Sequence, residues 1–256
     1  MDSIKKIKIK PLLENEEDKT ILKRPINPIL PRIDKKQVIL ILGGIGVGKS
    51  TLTTNLIFSN DCYGYNDNSL FDIIYVISNT INNDKNAFAY RERSSDNGGC
   101  CVIFDKYEDS IISGIMDYQN KEEGKDQPFS LLVLEDATGS GTSNNNSKIS
   151  EFVSKTRHYN TNIIIVGHTI NQSFSSLIRA NVRQIFLKKM RNGNEKKKFI
   201  IQYGDLFGGE TAFNKMYDYT FGGDNSKYNF IYCNLDDLFC MKNFDEIMYK
   251  DEKLLI

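Results

Sequence analysis

From Gln37 onward the chain alternates apolar runs with stretches of helical periodicity. Val38–Leu42, Ile73–Ser78, Cys101–Phe104, Phe129–Leu134, Asn162–Val166 and Gln184–Leu187 read as strands. Most are apolar at consecutive positions. That pattern belongs to strands buried on both faces, as in a parallel sheet covered by helices. The intervening segments Asp84–Glu92, Tyr107–Tyr118, Ser147–Lys155 and Gln172–Ala180 read as helices. Such alternation predicts an α/β fold with a mostly parallel central sheet and helices on both faces. After Leu187 the pattern changes. The polar stretch Lys188–Lys198 separates two apolar runs, with Asn192-Gly193 at its centre, which predicts a β-hairpin. A short helix near Glu210–Tyr217 and an apolar run over Tyr228–Cys233 follow. Upstream, four of the five prolines fall at positions 11, 25, 28 and 31, so residues 1–36 read as an extended arm. It is either a loose tail or an arm that docks on a neighbouring subunit. Residues 37–250 form one domain and 251–256 a tail. No internal repeat or second core is visible.

Directly after the first apolar run stand Gly43, Gly44, Ile45, Gly46, Val47, Gly48, Lys49 and Ser50. This fills every fixed position of the phosphate-loop pattern G-x-x-x-x-G-K-[ST]. Glycines let the backbone turn its N–H groups toward phosphate oxygens, and the helix starting near Lys49 adds its positive end. Lys49 is a point charge for the β- and γ-phosphates, and the Ser50 hydroxyl is a ligand for Mg²⁺. Thr51 completes the candidate phosphate contacts. Leu52 and Leu56, four apart, give the following helix one apolar face. The expected ligand is ATP with Mg²⁺.

The strand Phe129–Leu134 ends in Glu135-Asp136. Acids at the end of an apolar strand suit a metal-side carboxylate and a general base for the attacking water. Glu135 is assigned to the metal side and Asp136 to the water, with one of the two as a mere turn cap remaining open. The interval between loop and acids has room for a strand–helix unit, which implies an extra strand between the two motif strands. That arrangement is the RecA-like, ASCE form of the P-loop NTPases, seen in ring-forming and translocating ATPases.

Composition narrows the setting. The 256 residues carry 33 basic and 33 acidic side chains, so the overall field does not attract nucleic acid and any DNA contact must be local. No stretch approaches the ~18 apolar residues of a membrane helix, and the N-terminus lacks the apolar core of a signal peptide. The five cysteines are odd in number and form no C-x-x-C, which fits reduced thiols in a cytosol-like compartment rather than a zinc site or a secreted protein.

Further motifs lie in the second half. Thr156-Arg157-His158 precedes the strand Asn162–Val166, which runs into Gly167-His168-Thr169. Leu177-Ile178-Arg179-Ala180-Asn181 follows, and Tyr228–Tyr232 and Lys242–Glu246 close the chain. Together with the phosphate loop and the acid strand, this resembles the genome-packaging ATPases of large DNA viruses, virophages and related mobile elements, in the FtsK–HerA superfamily. The resemblance covers roughly residues 36–250. It implies a P-loop NTPase with a C-terminal β-hairpin extension. It further implies a homo-oligomeric ring that drives double-stranded DNA into a viral capsid, in the host cytoplasm or on the virion. In such a ring a basic residue reaches the neighbour's γ-phosphate; Arg157 and Arg179 are the two candidates, each equally readable as a structural arginine. Many relatives carry Gln as the γ-phosphate sensor where His168-Thr169 stand here, and the nearest Gln is Gln172. His168 is a candidate sensor or a satisfied strand-end histidine.

For DNA contacts, two stretches qualify: the tip of the expected hairpin, Lys188–Lys198, and the polar loop Thr138–Lys148 with Lys148 and Lys155. A solvated turn and plain loop flexibility are the simpler readings. Other functions fit the same loop. A small-molecule kinase needs an acceptor pocket and an Arg-rich lid. A helicase or replication translocase would bring stacking aromatics to single strands. The Glu-before-Asp order leaves room for a nucleotide-gated scaffold.

Overall fold

The structure is a computed structural model that describes residues 22–121, 127–135, 143–170, 174–223 and 226–256. The strand β1 (Val38–Leu42) leads into helix α1 (Lys49–Phe58). A small ribbon, β2 (Gly64–Tyr65) with β3 (Asn68–Ser69), precedes β4 (Ile73–Ser78) and α2 (Phe88–Glu92). Then come β5 (Cys101–Phe104), α3 (Asp109–Lys121), β6 (Ser130–Glu135) and α4 (Lys148–Ser154). They are followed by β7 (Thr161–Gly167), α5 (Ser176–Asn181) and β8 (Val182–Lys188). The chain ends with α6 (Gly193–Tyr203), α7 (Gly209–Phe221), β9 (Phe230–Asn234), β10 (Phe239–Lys242), β11 (Glu246–Lys250) and β12 (Lys253–Leu254).

Ten strands form one sheet in the order β12-β11-β10-β9-β8-β1-β7-β6-β4-β5. From β8 to β5 every pairing is parallel, and from β8 to β12 every pairing is antiparallel. All six expected strands are present. The extra strand between the two motif strands is also present, but its origin differs from the expectation. It is β7, which follows the acid strand in sequence. The strands that fill the sequence interval, β4 and β5, lie beyond β6 at the sheet's edge. The chain crosses from β1 outward, returns through β6 and β7, and then passes to the other side of β1.

Consecutive residues of each central strand serve opposite faces. Val38, Leu40 and Leu42 pack with α3 to α7, while Ile39 and Ile41 pack with α1, α2 and the segment before β1. This two-sided burial is why the runs are unbroken. Leu56 is buried and Leu52 partly so, on the face of α1 that meets the sheet.

Residues 1–21 lie outside the described residues. The rest of the expected arm packs on its own domain. Arg24 donates to the carbonyls of Asn60, Cys62 and Gly64 at 2.7, 2.8 and 2.9 Å. Leu30 and Ile33 are buried, and the Tyr63 hydroxyl donates to the Pro31 carbonyl at 2.9 Å. The buried Asn162 side chain pins this segment to β7: it donates to the Ile33 carbonyl at 2.9 Å and accepts from the Gln37 amide at 2.8 Å.

The hairpin expected at Lys188–Lys198 is a helix instead. Asn192 is the N-cap of α6, its side-chain oxygen accepting from the Glu195 amide at 3.0 Å. Asn followed three residues later by Glu is a helix-start signal, and it outweighs the Asn-Gly turn signal here. The antiparallel extension exists farther on, as β9 to β12.

Candidate nucleotide site

The phosphate loop hangs between two strands. The Gly43 amide donates to the Gly167 carbonyl at the end of β7 (3.3 Å), and the Gly44 amide donates to the Lys189 carbonyl just past β8 (3.0 Å). Gly43 has no room for a side chain, since a Cβ there would lie 2.5 Å from Lys188 Cβ. Gly46 and Gly48 adopt φ of 72° and 82°, the left-handed region that glycine enters without steric cost. Ile45 and Gly46 are exposed, and Val47 and Gly48 are half-buried. No side chain caps α1 at its N-terminus. Ser50 is half-buried and Thr51 exposed on that first turn.

Lys49 is buried. Its ammonium donates to the Gly43 carbonyl at 3.1 Å and the Gly44 carbonyl at 2.8 Å, and lies 3.0 Å from His168 Nδ1. His168 Nδ1 is itself 3.3 Å from the Gly43 oxygen. A charge-assisted bond from this ammonium to a phosphate oxygen is stronger than its bonds to these neutral carbonyls.

Glu135 is 4% exposed at the last position of β6. Register places it beside Val166 of β7, and Gly167 beside Leu42 of β1. The loop, His168 and Glu135 therefore occupy one row at the carboxyl ends of three adjacent strands. That end of a parallel sheet is where ligands bind. From α2 the fully buried Tyr90 approaches the acid. Burial first, and then the Glu135 carboxylate, push the Tyr90 hydroxyl well above the usual tyrosine range.

Magnesium bound to nucleotide keeps several waters and takes only one or two protein oxygens. The Ser50 hydroxyl and the Glu135 carboxylate are of that chemical kind. Among the described residues, no group of three His, Cys, Asp or Glu side chains forms a separate metal cluster. Asp136, Gln172 and residues 138–142 of the polar loop lie outside the described residues.

The two arginines are elsewhere. Arg157 is exposed in the turn before β7, at the opposite end of that strand from His168. Seven residues of strand separate the ends by roughly 20 Å. There it lines a cleft with Lys35, Lys36, Lys155, His158 and Arg183. Arg179 is half-buried in α5, where its guanidinium donates to the Phe174 carbonyl. Neither arginine joins the row of loop, His168 and Glu135. The basic residues read as DNA contacts mostly have partners within the fold. Lys198 pairs with Glu195 at 2.7 Å, and Lys148 and Lys155 both pair with Glu151 at 3.0 Å.

Two residues given no nucleotide role by the sequence stand against the loop. Lys188, the last residue of β8, is 3% exposed and donates to the Tyr228 carbonyl at 2.6 Å. Burial pushes its pKa down to about 8. The Tyr228 ring lies beside Gly48. A lysine closing the apolar run of β8 was the available signal for the first. The second is 40 residues away in sequence, and only the fold brings it near.

No protein-family model matches the chain, and no curated protein matches it by sequence. Solved structures do match in fold. The genome-packaging NTPase B204 of Sulfolobus turreted icosahedral virus 2, in complex with ATP-γ-S, superposes with a TM-score of 0.55 at 14% identity, covering 81% of this chain and 96% of that one. The fold is that of the P-loop NTPases. B204 of Sulfolobus turreted icosahedral virus, a DNA-packaging ATPase, gives a TM-score of 0.52 at 16% identity over 81% of this chain and 96% of that one. The pCW3 conjugation coupling protein TcpA with ATPγS gives 0.52 at 12% identity, over 86% and 62%. No helix among the described residues of this P-loop NTPase fold is long and apolar enough to cross a membrane.

Proposed function

We propose that this chain is an ATP-hydrolysing motor that translocates double-stranded DNA into a viral capsid, working as a homo-oligomeric ring. The observation that carries the reading is the row of phosphate loop, His168 and Glu135 across β1, β7 and β6. Its likeness in fold to the packaging NTPases supports the substrate.

The chemistry follows from the row. The α1 amides and Lys49 take the β- and γ-phosphates. The Ser50 hydroxyl and the Glu135 side would hold Mg²⁺, which neutralises charge on those phosphates. Asp136, the residue after Glu135, orients the attacking water. His168, in contact with Lys49, shifts its partner when phosphate draws the lysine away, and so reports γ-phosphate to β7. Arg157 or Arg179 reaches a neighbour's nucleotide across a subunit interface, a contribution worth ~10³–10⁵ in rate. The exposure of Arg157, far from its own loop, fits action in trans better than the tethered Arg179 does. TcpA has the same fold, so a duplex translocase outside packaging is the second reading.

The test is ATP turnover by wild type and Lys49→Ala, alone and with linear duplex DNA, single strands or RNA. Stimulation by duplex DNA in wild type alone is the expected result. Preference for single strands would move the assignment to a helicase, and ATP binding without turnover under any condition would overturn the motor reading.

A further inference from the structure

A nucleoside triphosphate on this loop has a direction. Its γ end belongs where charge is handled, at Glu135 after β6 and His168 after β7. Both strands lie on one side of β1, and β8 and β9 lie on the other. The nucleoside end therefore points toward β8 and β9.

On that side the loop meets an exposed aromatic ring. A Cβ on Gly48 would lie 3.1 Å from Tyr228 Cδ1 and 3.7 Å from Cε1, and Tyr228 is 63% exposed. The backbone around the ring is fixed. The Ser226 hydroxyl donates to the Phe221 carbonyl at 2.8 Å, the Asn229 amide to the Thr220 carbonyl at 2.9 Å, and the Asn243 side chain accepts from the Phe230 amide at 2.9 Å. Lys188 Nζ holds the Tyr228 carbonyl itself and lies 3.8 Å from the same Gly48 Cβ position. Lys227, exposed and flexible in length, reaches over the ring at 5.2 Å and can move aside. An aromatic face on a rigid backbone, at the nucleoside end of a phosphate site, is a platform for a planar base. Among the described residues, the buried Lys188 meets this carbonyl and the Phe230 ring at 5.4 Å. Burial lowers its pKa, and among the described residues no carboxylate pairs with it. Such a cation is complementary to an incoming polyphosphate.

We propose that Tyr228 and Lys188 form the nucleoside end of the site: Tyr228 stacks on the base, and Lys188 positions it and adds charge beside the phosphates. This rests on the reading of the loop as a nucleotide site.

The chain contains no tryptophan, so Tyr228→Trp provides a single fluorescent reporter. ATP should change its emission saturably, while inorganic tripolyphosphate, which fills the loop without a base, should leave it unchanged. By calorimetry at pH 7, Tyr228→Ala should bind ATP roughly tenfold more weakly, a typical loss for one base stack, with tripolyphosphate affinity kept within about twofold. Tyr228→Phe should bind like wild type. Unchanged ATP affinity in Tyr228→Ala, or equal losses for ATP and tripolyphosphate, would overturn the proposal while leaving the nucleotide site intact. Wild type that binds neither ligand would overturn the nucleotide reading of the loop and this proposal with it.

Discussion

Replacing Lys188 by methionine separates what this residue does for ATP from what it does to the fold. The lysine is 3% exposed, and its pKa falls from 10.5 to about 8 through burial alone. At 1.36 kcal/mol per unit, holding the charged form in the folded state costs about 3 kcal/mol at pH 7. The sign is fixed by linkage. Between pH 8 and 10.5 the unfolded chain binds more protons here than the folded one, so wild-type stability rises with pH across that window. Below pH 8 the full penalty applies. Lys188→Met removes the penalty but leaves the Tyr228 carbonyl without its donor, a loss of about 1–2 kcal/mol. At pH 7 the variant should therefore be about 1–2 kcal/mol more stable than wild type without nucleotide. Integrating the two pKa values, that advantage should shrink by about 2 kcal/mol at pH 9.5. Urea unfolding of both proteins at the two pH values reads this directly. Tyrosines and cysteines that titrate in the same range are common to both and cancel. Saturating ATP at pH 7 should reverse the order, because it stabilises wild type more. A wild-type-to-variant difference that is the same at both pH values would refute the reasoning about a buried charge.

Three further outcomes follow from the geometry. Glu135→Gln keeps the shape of the buried acid but removes the charge on the metal side, so ATP should still bind while turnover falls and needs more Mg²⁺, measured by phosphate release against Mg²⁺ concentration. Gly43→Ala would place a Cβ 2.5 Å from Lys188 Cβ, so the loop must shift; ATP binding should be lost while circular dichroism stays that of wild type. Phe186→Ala empties a fully buried position that stacks on Tyr232 at 4.9 Å and meets Phe230 and Phe244 edge-on, and should lower unfolding stability by about 3–5 kcal/mol.

The sequence made the central sheet readable because strands buried on both sides leave unbroken apolar runs, as Val38–Leu42 and residues 131–134 of β6 do. The phosphate loop was readable because its chemistry is local: glycines, a lysine and a hydroxyl within one turn. What needed the fold was anything joining distant segments. The strand between the motif strands was expected from space in the sequence, yet it is β7, because strand order follows crossovers rather than chain order. Asn192-Gly193 carried both a turn signal and a helix-cap signal, and Glu195 three positions on decided for the helix. The short strands β10 to β12 carry too few apolar residues each to stand out. Lys188 and Tyr228 meet only because β8 and β9 are neighbours. The row linking Lys49 to His168, 119 residues apart, is likewise a product of strand register rather than of any local pattern.

The central claim is that ATP turnover on this loop moves the protein along intact duplex DNA. Displacement of a third strand from a triplex-bearing duplex tests it most directly. With ATP and Mg²⁺, wild type should release the third strand while leaving the underlying duplex paired, and Lys49→Ala should release none. Release accompanied by separation of the duplex strands, or equal release by Lys49→Ala, would contradict the account.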